Sequence, residues 1–422
     1  MLAPALILGC VMVLAIWRPR GLAIGWPALG GALLCVGLGL VGLREVERVL
    51  ALTWNAVLAL IGLMVLSATL EENGAFRAAA YRVARLSAGS GRRLFFGLCL
   101  LTCGATALIA NDGAVLVLTP IVFELTGLLG FPAAATLAFL FATGFLCDAL
   151  SIVLPTSNLT NILMIDAIKA HPGVFFAKMI GPALIALLVG ITALTIELGR
   201  AVPRRFDAGA LGPPPAFSPR SARATFTALA ALLGGYGLAA LLGFPLGAVI
   251  LVVSIGLALV EHHARAAHLP RILRQLPWSV VVFAVALFVV VIALADHGAA
   301  AVLAASFAVT EHPARHVLAV GAEVGALAAF ANNLPVLLVS VLALKNIGAT
   351  TLLPYAALLG ANIGSKLTPV GSLATLLWLE MLRRRGLRLS WGRYTLYAAA
   401  PTAATLAAAL LILAAEHSIF GG

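Results

Sequence analysis

Apolar runs, each about as long as a membrane-crossing helix, follow one another along almost the whole chain. A helix rises about 1.5 Å per residue, so a hydrocarbon core of about 30 Å requires roughly 20 residues per crossing. Irregular backbone and open sheet edges cannot face lipid, and the spans must therefore be helical. The pattern predicts an all-α polytopic membrane protein with about 10 transmembrane helices. They are placed near residues 2–17, 22–43, 52–71, 132–165, 174–199, 224–242, 244–261, 277–297, 350–383 and 394–417.

Two further apolar stretches are each divided by a polar interruption. Ala110-Asn111-Asp112-Gly113 divides residues 94–128, and Ala331-Asn332-Asn333-Leu334-Pro335 divides residues 316–344. The resulting arms of 17, 15, 16 and 11 residues are shorter than comfortable crossings. Re-entrant helical hairpins therefore fit better than pairs of crossings.

Each hairpin is followed by a span with a second interruption. Residues 154–161 break the span at 132–165, and residues 368–375 break the span at 350–383. Discontinuous helices in corresponding positions of two halves mark the binding site in many secondary transporters. The four interruptions therefore predict a substrate site at membrane depth.

The two halves show weak similarity at an offset of 224 residues. Leu52-Thr53-Trp54 resembles Leu276-Pro277-Trp278, and a proline-rich segment at 200–223 lies between the halves. With five crossings per half, the second half enters from the opposite side, which makes an inverted repeat. We expect an N-terminal repeat at 1–199, a linker at 200–223 and a C-terminal repeat at 224–422, each repeat with one hairpin and one broken helix.

Composition and charge define the environment. Hydrophobic residues make up 62% of the chain and charged residues 10%, and the mean hydropathy of +1.09 excludes a soluble globular protein. The net charge of +11 comes from basic residues in loops. Of these residues, 20 fall on one side of the predicted topology, including those of predicted loops at 77–93 and 265–274, and six fall on the other. The positive-inside rule places the linker and most basic loops on the cytoplasmic side of the membrane, and the expected partner is lipid rather than nucleic acid.

The interruptions are rich in uncharged polar side chains. Unwinding a helix at membrane depth frees backbone groups and exposes helix-end dipoles, which can replace the hydration shell of a small oxygen-rich solute. Some of these side chains could instead only cap the broken helices. The candidate substrate-binding residues are Asn111, Asn332, Asn333, Ser157, Asn158, Thr160, Asn161, Ser372 and Thr375.

The interruptions also carry a resemblance to a known family over essentially the whole chain. The stretches are 110–120, Ser157-Asn-Leu-Thr-Asn161, Asn332-Asn-Leu-Pro335 and 366–378, and they resemble the ArsB family of arsenite efflux permeases, in the superfamily that includes NhaD antiporters and dicarboxylate carriers. The resemblance implies a scaffold and a transport domain, export of arsenite or antimonite, and proton antiport. It also implies location in the bacterial inner membrane and, in some members, assistance by a separate soluble ATPase. No cofactor is expected.

One departure from the family shifts the expected proton carrier. Members often have an acidic residue where this chain has Asn362. The carboxylates nearest the first-half breaks are Asp112 and Asp148, and burial favours their protonation. Lys366 is the one basic residue predicted at membrane depth, so Asp112, Asp148 and Lys366 are the candidates for proton coupling. The alternative is that either carboxylate caps a helix or pairs permanently with Lys366.

Three cysteines are candidate ligands for a thiolate site that binds trivalent arsenic. Cys99 and Cys103 lie four residues apart, on one helix face, and Cys147 could approach them. We disfavour this site because a tight thiolate trap would hinder release, and small apolar packing accounts for the thiols. No metal site is expected.

Three alternatives remain open at this point. The same fold could serve a sodium–proton antiporter or a small-anion transporter. A receptor without transport is disfavoured because polar breaks are costly unless they line a polar path. A membrane enzyme is disfavoured because no nucleophile–base arrangement is present in the sequence.

Overall fold

A computed structural model of the chain describes residues 1–264, 267–307, 312–348 and 352–420. Of the regions predicted above, positions 265, 266, 308–311, 349–351, 421 and 422 lie outside the described residues. Within the described residues the protein is helical and has no β-strand, apart from one isolated antiparallel bridge between Ser90 and Arg205. The predicted all-α fold is confirmed.

The first half contains nine helices. They are α1 Leu2–Trp17, α2 Gly25–Gly37, α3 Leu43–Glu72, α4 Ala75–Leu86, α5 Gly91–Ile109, α6 Asn111–Leu128, α7 Ala133–Ala149, α8 Leu159–Ile168 and α9 Pro172–Leu198.

The second half repeats this order with additional short helices. They are α10 Pro219–Leu242, α11 Leu246–His263, α12 Leu269–Gln275, α13 Trp278–Leu294, α14 Ala300–Phe307, α15 Pro313–Ala331, α16 Asn333–Asn346, α17 Leu353–Leu359, α18 Leu373–Arg384 and α19 Trp391–Phe420. Turns of π-helix at Ala295–Ala299 and Gly360–Gly364 follow α13 and α17.

Nine helices in the described part of the chain are long and apolar enough to cross a membrane. They are α3, α5, α6, α9, α10, α11, α13 together with α14 across a kink at His297 and Gly298, α15 and α19. The chain is therefore an integral membrane protein. The first two predicted spans are shorter helices of 16 and 13 residues.

The helix boundaries correct two predictions. The span predicted at 52–71 is a 30-residue helix that begins at Leu43, because the Glu45 carboxylate accepts a hydrogen bond from the Gly42 N–H (3.0 Å) and caps the helix start. The segment 77–93, predicted as a loop, contains α4. This helix buries Phe76, Ala80, Tyr81 and Ala84 on one face and exposes its arginines on the other.

Equivalent helices of the two halves pack in equivalent ways. Helix α3 packs against α11, and its counterpart α13 packs against α2. Helix α1 contacts α2 as α10 contacts α11, and α9 packs along α19. The helix bundle thus has an approximate internal twofold relation. The boundaries of the two repeats at 1–199 and 224–422 stay a prediction.

The hairpins turn at residues with positive φ. Ala110 (φ 64°) joins α5 to α6, and Asn332 (φ 72°) joins α15 to α16. The arms have 19, 18, 19 and 14 residues, so the predicted arms of 17, 15, 16 and 11 residues were too short, and three arms are long enough to span. The re-entrant geometry follows instead from the tips, because Asn111 and Asn333 line the same interior cavity.

Helix α15 touches the π-turn of the second broken helix backbone to backbone. A Cβ atom on Gly360 would lie 2.3 Å from the carbonyl oxygen of Gly321, and one on Gly364 would lie 2.4 Å from the Cα of Gly325. Gly321 and Gly325 are four residues apart on α15, as are Gly360 and Gly364 in the π-turn. This small-xxx-small spacing permits close helix contact in membranes. The second hairpin and the second broken helix are thereby joined.

The linker is bonded to the entrance of the first hairpin. The Phe206 N–H donates to the Gly89 carbonyl (2.8 Å), and Arg85 Nη2 donates to the Gly212 carbonyl (2.8 Å). The Phe206 and Phe131 rings meet edge to face with centroids 5.8 Å apart. The segment between α9 and α10 therefore runs across the end of the hairpin.

Candidate substrate and ion site

The first broken helix unwinds between α7 and α8. Asn158 has extended backbone, and its Oδ1 accepts from the Thr160 N–H (3.2 Å), which caps α8. Ser157 Oγ accepts from the Leu154 N–H (3.1 Å) and donates to the Ala107 carbonyl (3.2 Å). Prolines and short polar residues thus replace the helical hydrogen bonds in this segment with local ones.

The second broken helix unwinds between α17 and α18. After the π-turn, Thr368 Oγ1 accepts from the Val370 N–H (3.2 Å) and donates to the Ala329 carbonyl at the end of α15. Ser372 is extended and precedes the first residue of α18. The breaks predicted at 154–161 and 368–375 are confirmed within the described residues, because α-helix is interrupted between Ala149 and Leu159 and between Gly364 and Leu373.

The two hairpin tips and the two breaks enclose one small cavity of about 20 Å³. Four of the predicted substrate-binding residues line it, one from each interruption: Asn111, Asn158, Asn333 and Ser372. Asp112 lines it as well. Each side of the approximate twofold therefore contributes polar groups to a common space.

The opposite wall is apolar and comes from two long helices. Leu60 of α3 and Val280, Phe283 and Ala284 of α13 close the cavity. Sequence reasoning missed these residues because they are apolar residues in ordinary spans, and nothing in the pattern separates them from lipid-facing neighbours.

The other five predicted residues do not line this cavity. Asn332 donates to the Val370 carbonyl (3.3 Å) and accepts from the Leu334 N–H (3.3 Å), which caps α16. Ser157 is bonded to backbone as described above. The partners of Thr160, Asn161 and Thr375 are other side chains or backbone carbonyls. These five residues hold the breaks in shape.

A buried ion pair lies beside the cavity. Lys366 Nζ is 2.6 Å from Asp148 Oδ2, and each side chain is 1% exposed. Lys366 also donates to Thr375 Oγ1 (2.5 Å), which donates to Asp148 Oδ2 (3.3 Å). The second Asp148 oxygen accepts from Asn111 Nδ2 (2.5 Å). All of these groups are satisfied, as burial of charge requires.

Asp112 has a different environment. It lies at the first hairpin tip and faces both the cavity and the gap toward Leu60, Leu63 and Met64 of α3. In the part of the chain that the structure describes, its carboxylate has no hydrogen bond or ion pair. The two predicted carboxylates thus have distinct surroundings, one paired and one available.

Two further carboxylates lie on the hairpin arms, away from the cavity. Glu124 forms an ion pair with Arg77 (3.1 Å), and Glu323 accepts from Ser306 Oγ (2.8 Å).

Cys99 and Cys103 lie on α5 and Cys147 on α7, and none of them lines the cavity. Over the described ranges, no group of three His, Cys, Asp or Glu residues could hold a metal ion.

Sequence reasoning also missed the role of Asn362. This residue was noted only for its neutrality, yet it is fully buried and hydrogen-bonded to Thr160 and Asn161 of the other half. A polar residue in an apolar run just before a break was the available signal.

Polar hairpin tips and helix breaks that enclose a cavity inside a helical membrane bundle define the architecture of a membrane transporter. The family model "ArsB: Arsenical pump membrane protein" matches residues 3–415. The chain belongs to this family, as the sequence motifs predicted.

Individual relatives agree with this assignment. The arsenical pump membrane protein of Escherichia coli strain K12 is 34% identical over 402 residues, covering 93% of this chain and 94% of the relative. The one from Yersinia enterocolitica is 35% identical over 393 residues, covering 91% of each chain. The crystal structure of the Alcanivorax borkumensis YdaH transporter has a similar fold, with a TM-score of 0.57, 14% identity, and coverage of 90% of this chain and 89% of that one.

Proposed function

We propose that this protein exports trivalent arsenite and antimonite from the cytoplasm of a bacterium by proton antiport across the inner membrane. The observation that carries the proposal is the polar cavity shared by all four interruptions in a chain of the ArsB family. The relatives are named arsenical pump membrane proteins, which indicates the solute, and the polar cavity is the proposed binding site for that solute.

The chemistry of the cavity suits a neutral trihydroxide. Arsenite at neutral pH carries hydroxyl groups that both donate and accept, and Asn111, Asn158, Asn333 and Ser372 offer amide and hydroxyl partners of both kinds. The lining includes no thiol. A site built from neutral hydrogen bonds can release its solute, which an exporter requires.

Asp112 is the proposed proton carrier. Its carboxylate has no fixed partner among the described residues, so loading and releasing a proton breaks no ion pair there. Asp148, in contrast, is held by Lys366 and Asn111. We assign both residues of this pair to holding the hairpin tip beside the break.

The cavity dimensions support alternating access. About 20 Å³ holds roughly one water molecule, so arsenite can enter only when the hairpin-bearing domain moves away from α3 and α13. Two cavities of about 440 Å³ lie toward the proposed cytoplasmic side, beside Arg77 and Arg271 and beside Arg18 and Glu380. A cavity on the opposite side, next to Arg48, holds about 60 Å³. None of these three outer cavities shares a lining residue with the small polar cavity, so none of them reaches the site in this conformation.

Arsenite uptake into proteoliposomes that contain only this chain tests the proposal. An imposed proton gradient should drive accumulation, and a protonophore should abolish it. Accumulation that requires a soluble ATPase and ATP would show that ATP hydrolysis, rather than a proton gradient, drives transport. Movement of sodium or a small carboxylate without arsenite would favour the sodium–proton antiporter or anion transporter and would refute the metalloid assignment.

A further inference from the structure

Asn362 joins the broken helices of the two halves. It lies in the π-turn Gly360–Gly364 and is completely buried. Its Oδ1 accepts from Thr160 Oγ1 (2.8 Å) and from Asn158 Nδ2 (3.5 Å), and its Nδ2 donates to Asn161 Oδ1 (3.1 Å). All three partners belong to the break in the first half.

The orientation of Asn161 is fixed by backbone groups. Its Nδ2 donates to the carbonyls of Ser151 and Leu154, both at 2.8 Å. Carbonyl oxygens can only accept, so the amide nitrogen of Asn161 must face them. Its Oδ1 therefore faces Asn362 and requires a donor from that position.

The orientation of Asn158 is fixed in the same way. Its Oδ1 accepts from the Thr160 N–H, a group that can only donate. Its Nδ2 therefore points toward Ser151 Oγ and Asn362, which must accept. Position 362 thus has to donate on one side and accept on the other.

We infer that Asn362 is a positioning residue for the substrate site. It does not line the cavity, but it holds Asn158, which does. An amide or a neutral carboxylic acid satisfies both sides, whereas an ionised carboxylate can only accept. The role in transport rests on the proposed function, because it assumes that Asn158 contacts the transported solute. The structural role does not depend on that assumption.

The substitution Asn362→Asp turns this requirement into a pH dependence. At low pH the neutral acid can still donate to Asn161 Oδ1. As pH rises the acid ionises, the donor is lost, and two oxygen acceptors face each other in a buried site. The stability deficit relative to wild type should be small at low pH and should increase as pH rises. Asn362→Leu should be destabilised at every pH.

The first measurement is thermal unfolding of the full-length protein in detergent as a function of pH. It compares wild type, Asn362→Asp and Asn362→Leu. Asn346→Asp is the matched control, because Asn346 lies exposed at the end of α16. We expect a pH-independent difference for that control. A flat difference between Asn362→Asp and wild type would overturn the inference.

Arsenite transport by the same variants gives the second measurement. The apparent KM of Asn362→Asp should rise on the order of tenfold between low and high pH relative to wild type, with a smaller change in maximal rate. A pH-dependent stability deficit with an unchanged KM would refute the positioning role. If wild type moves no arsenite, the proposed function fails, while a pH-dependent stability deficit would still support the inferred hydrogen bonding.

Discussion

Asp148 and Lys366 meet 2.6 Å apart in the interior, and they are 218 residues apart in sequence. Asp148 ends the first arm of one broken helix, and Lys366 follows the π-turn of the other. Asn111 and Thr375 complete the hydrogen bonding. The pair therefore fixes one hairpin tip and both broken helices relative to each other.

Removing one partner of this pair should destabilise the protein strongly. Lys366→Met leaves the buried Asp148 carboxylate without its cation, and Asp148→Asn leaves the buried Lys366 ammonium without its anion. Breaking a buried pair in this way typically costs about 3–5 kcal/mol. The double variant Asp148→Asn, Lys366→Met removes both charges and should be less destabilised than the sum of the single variants. Thermal or chemical unfolding in detergent measures the cycle, and additive effects would show that the two residues are not coupled.

Asp112→Asn should abolish gradient-driven arsenite uptake while leaving the fold intact. The substitution breaks no hydrogen bond among the described residues, so the free energy of unfolding should change by less than about 1 kcal/mol. Uptake in proteoliposomes should fall to the rate seen without a proton gradient. Asp296→Asn, a partly exposed carboxylate 4.0 Å from Arg48, is the control and should transport normally. Unchanged gradient-driven uptake by Asp112→Asn would show that another residue carries the proton.

The neighbouring asparagines of the second hairpin tip should behave differently. Asn333 lines the cavity, and Asn333→Ala should reduce arsenite uptake at least tenfold with near-normal folding. Asn332 has φ 72° and caps α16, and Asn332→Ala should cost about 1–2 kcal/mol in stability. Uptake and unfolding of both purified variants separate the roles. Equal losses of stability would contradict this division.

Gly360→Ala should be poorly tolerated. Its Cβ would lie 2.3 Å from the Gly321 carbonyl oxygen, so α15 or the π-turn must shift, at a cost of about 1–3 kcal/mol. Gly104→Ala on α5 is the control, because a Cβ there meets nothing within 4 Å, and it should be neutral or slightly stabilising. Thermal unfolding of the two variants decides the point, and similar midpoints would exclude a tight contact.

The positions of the four breaks were predictable from sequence. Polar residues and prolines inside apolar runs have few possible explanations in a membrane, and the structure places Asn111, Asn158, Asn333 and Ser372 in one cavity. The lengths of the hairpin arms were less predictable, because α5 extends to Gly91 past the arginines that were assigned to a loop. Helix α4 was hidden for the same reason, since an amphipathic surface helix is rich in charge.

Which polar side chain faces the cavity could not be predicted. The sequence does not show that α8 begins at Leu159, so Thr160 and Asn161 could not be separated from Asn158 by helical spacing. The direction of each side chain depends on partners in the other half, such as Asn362. The contact between Gly321 and Gly360 was likewise absent from the sequence analysis, because a glycine reveals a close approach only once its neighbour is known.

The Asp148–Lys366 pair also bears on how the two halves assemble. Each half carries one charge that it cannot neutralise within its own break, so either half inserted alone would bury an unpaired ion. Fragments made by cutting the chain between α9 and α10 should therefore accumulate only when both are produced in the same cell. The salt bridge is thus expected to make the stability of each half depend on the presence of the other.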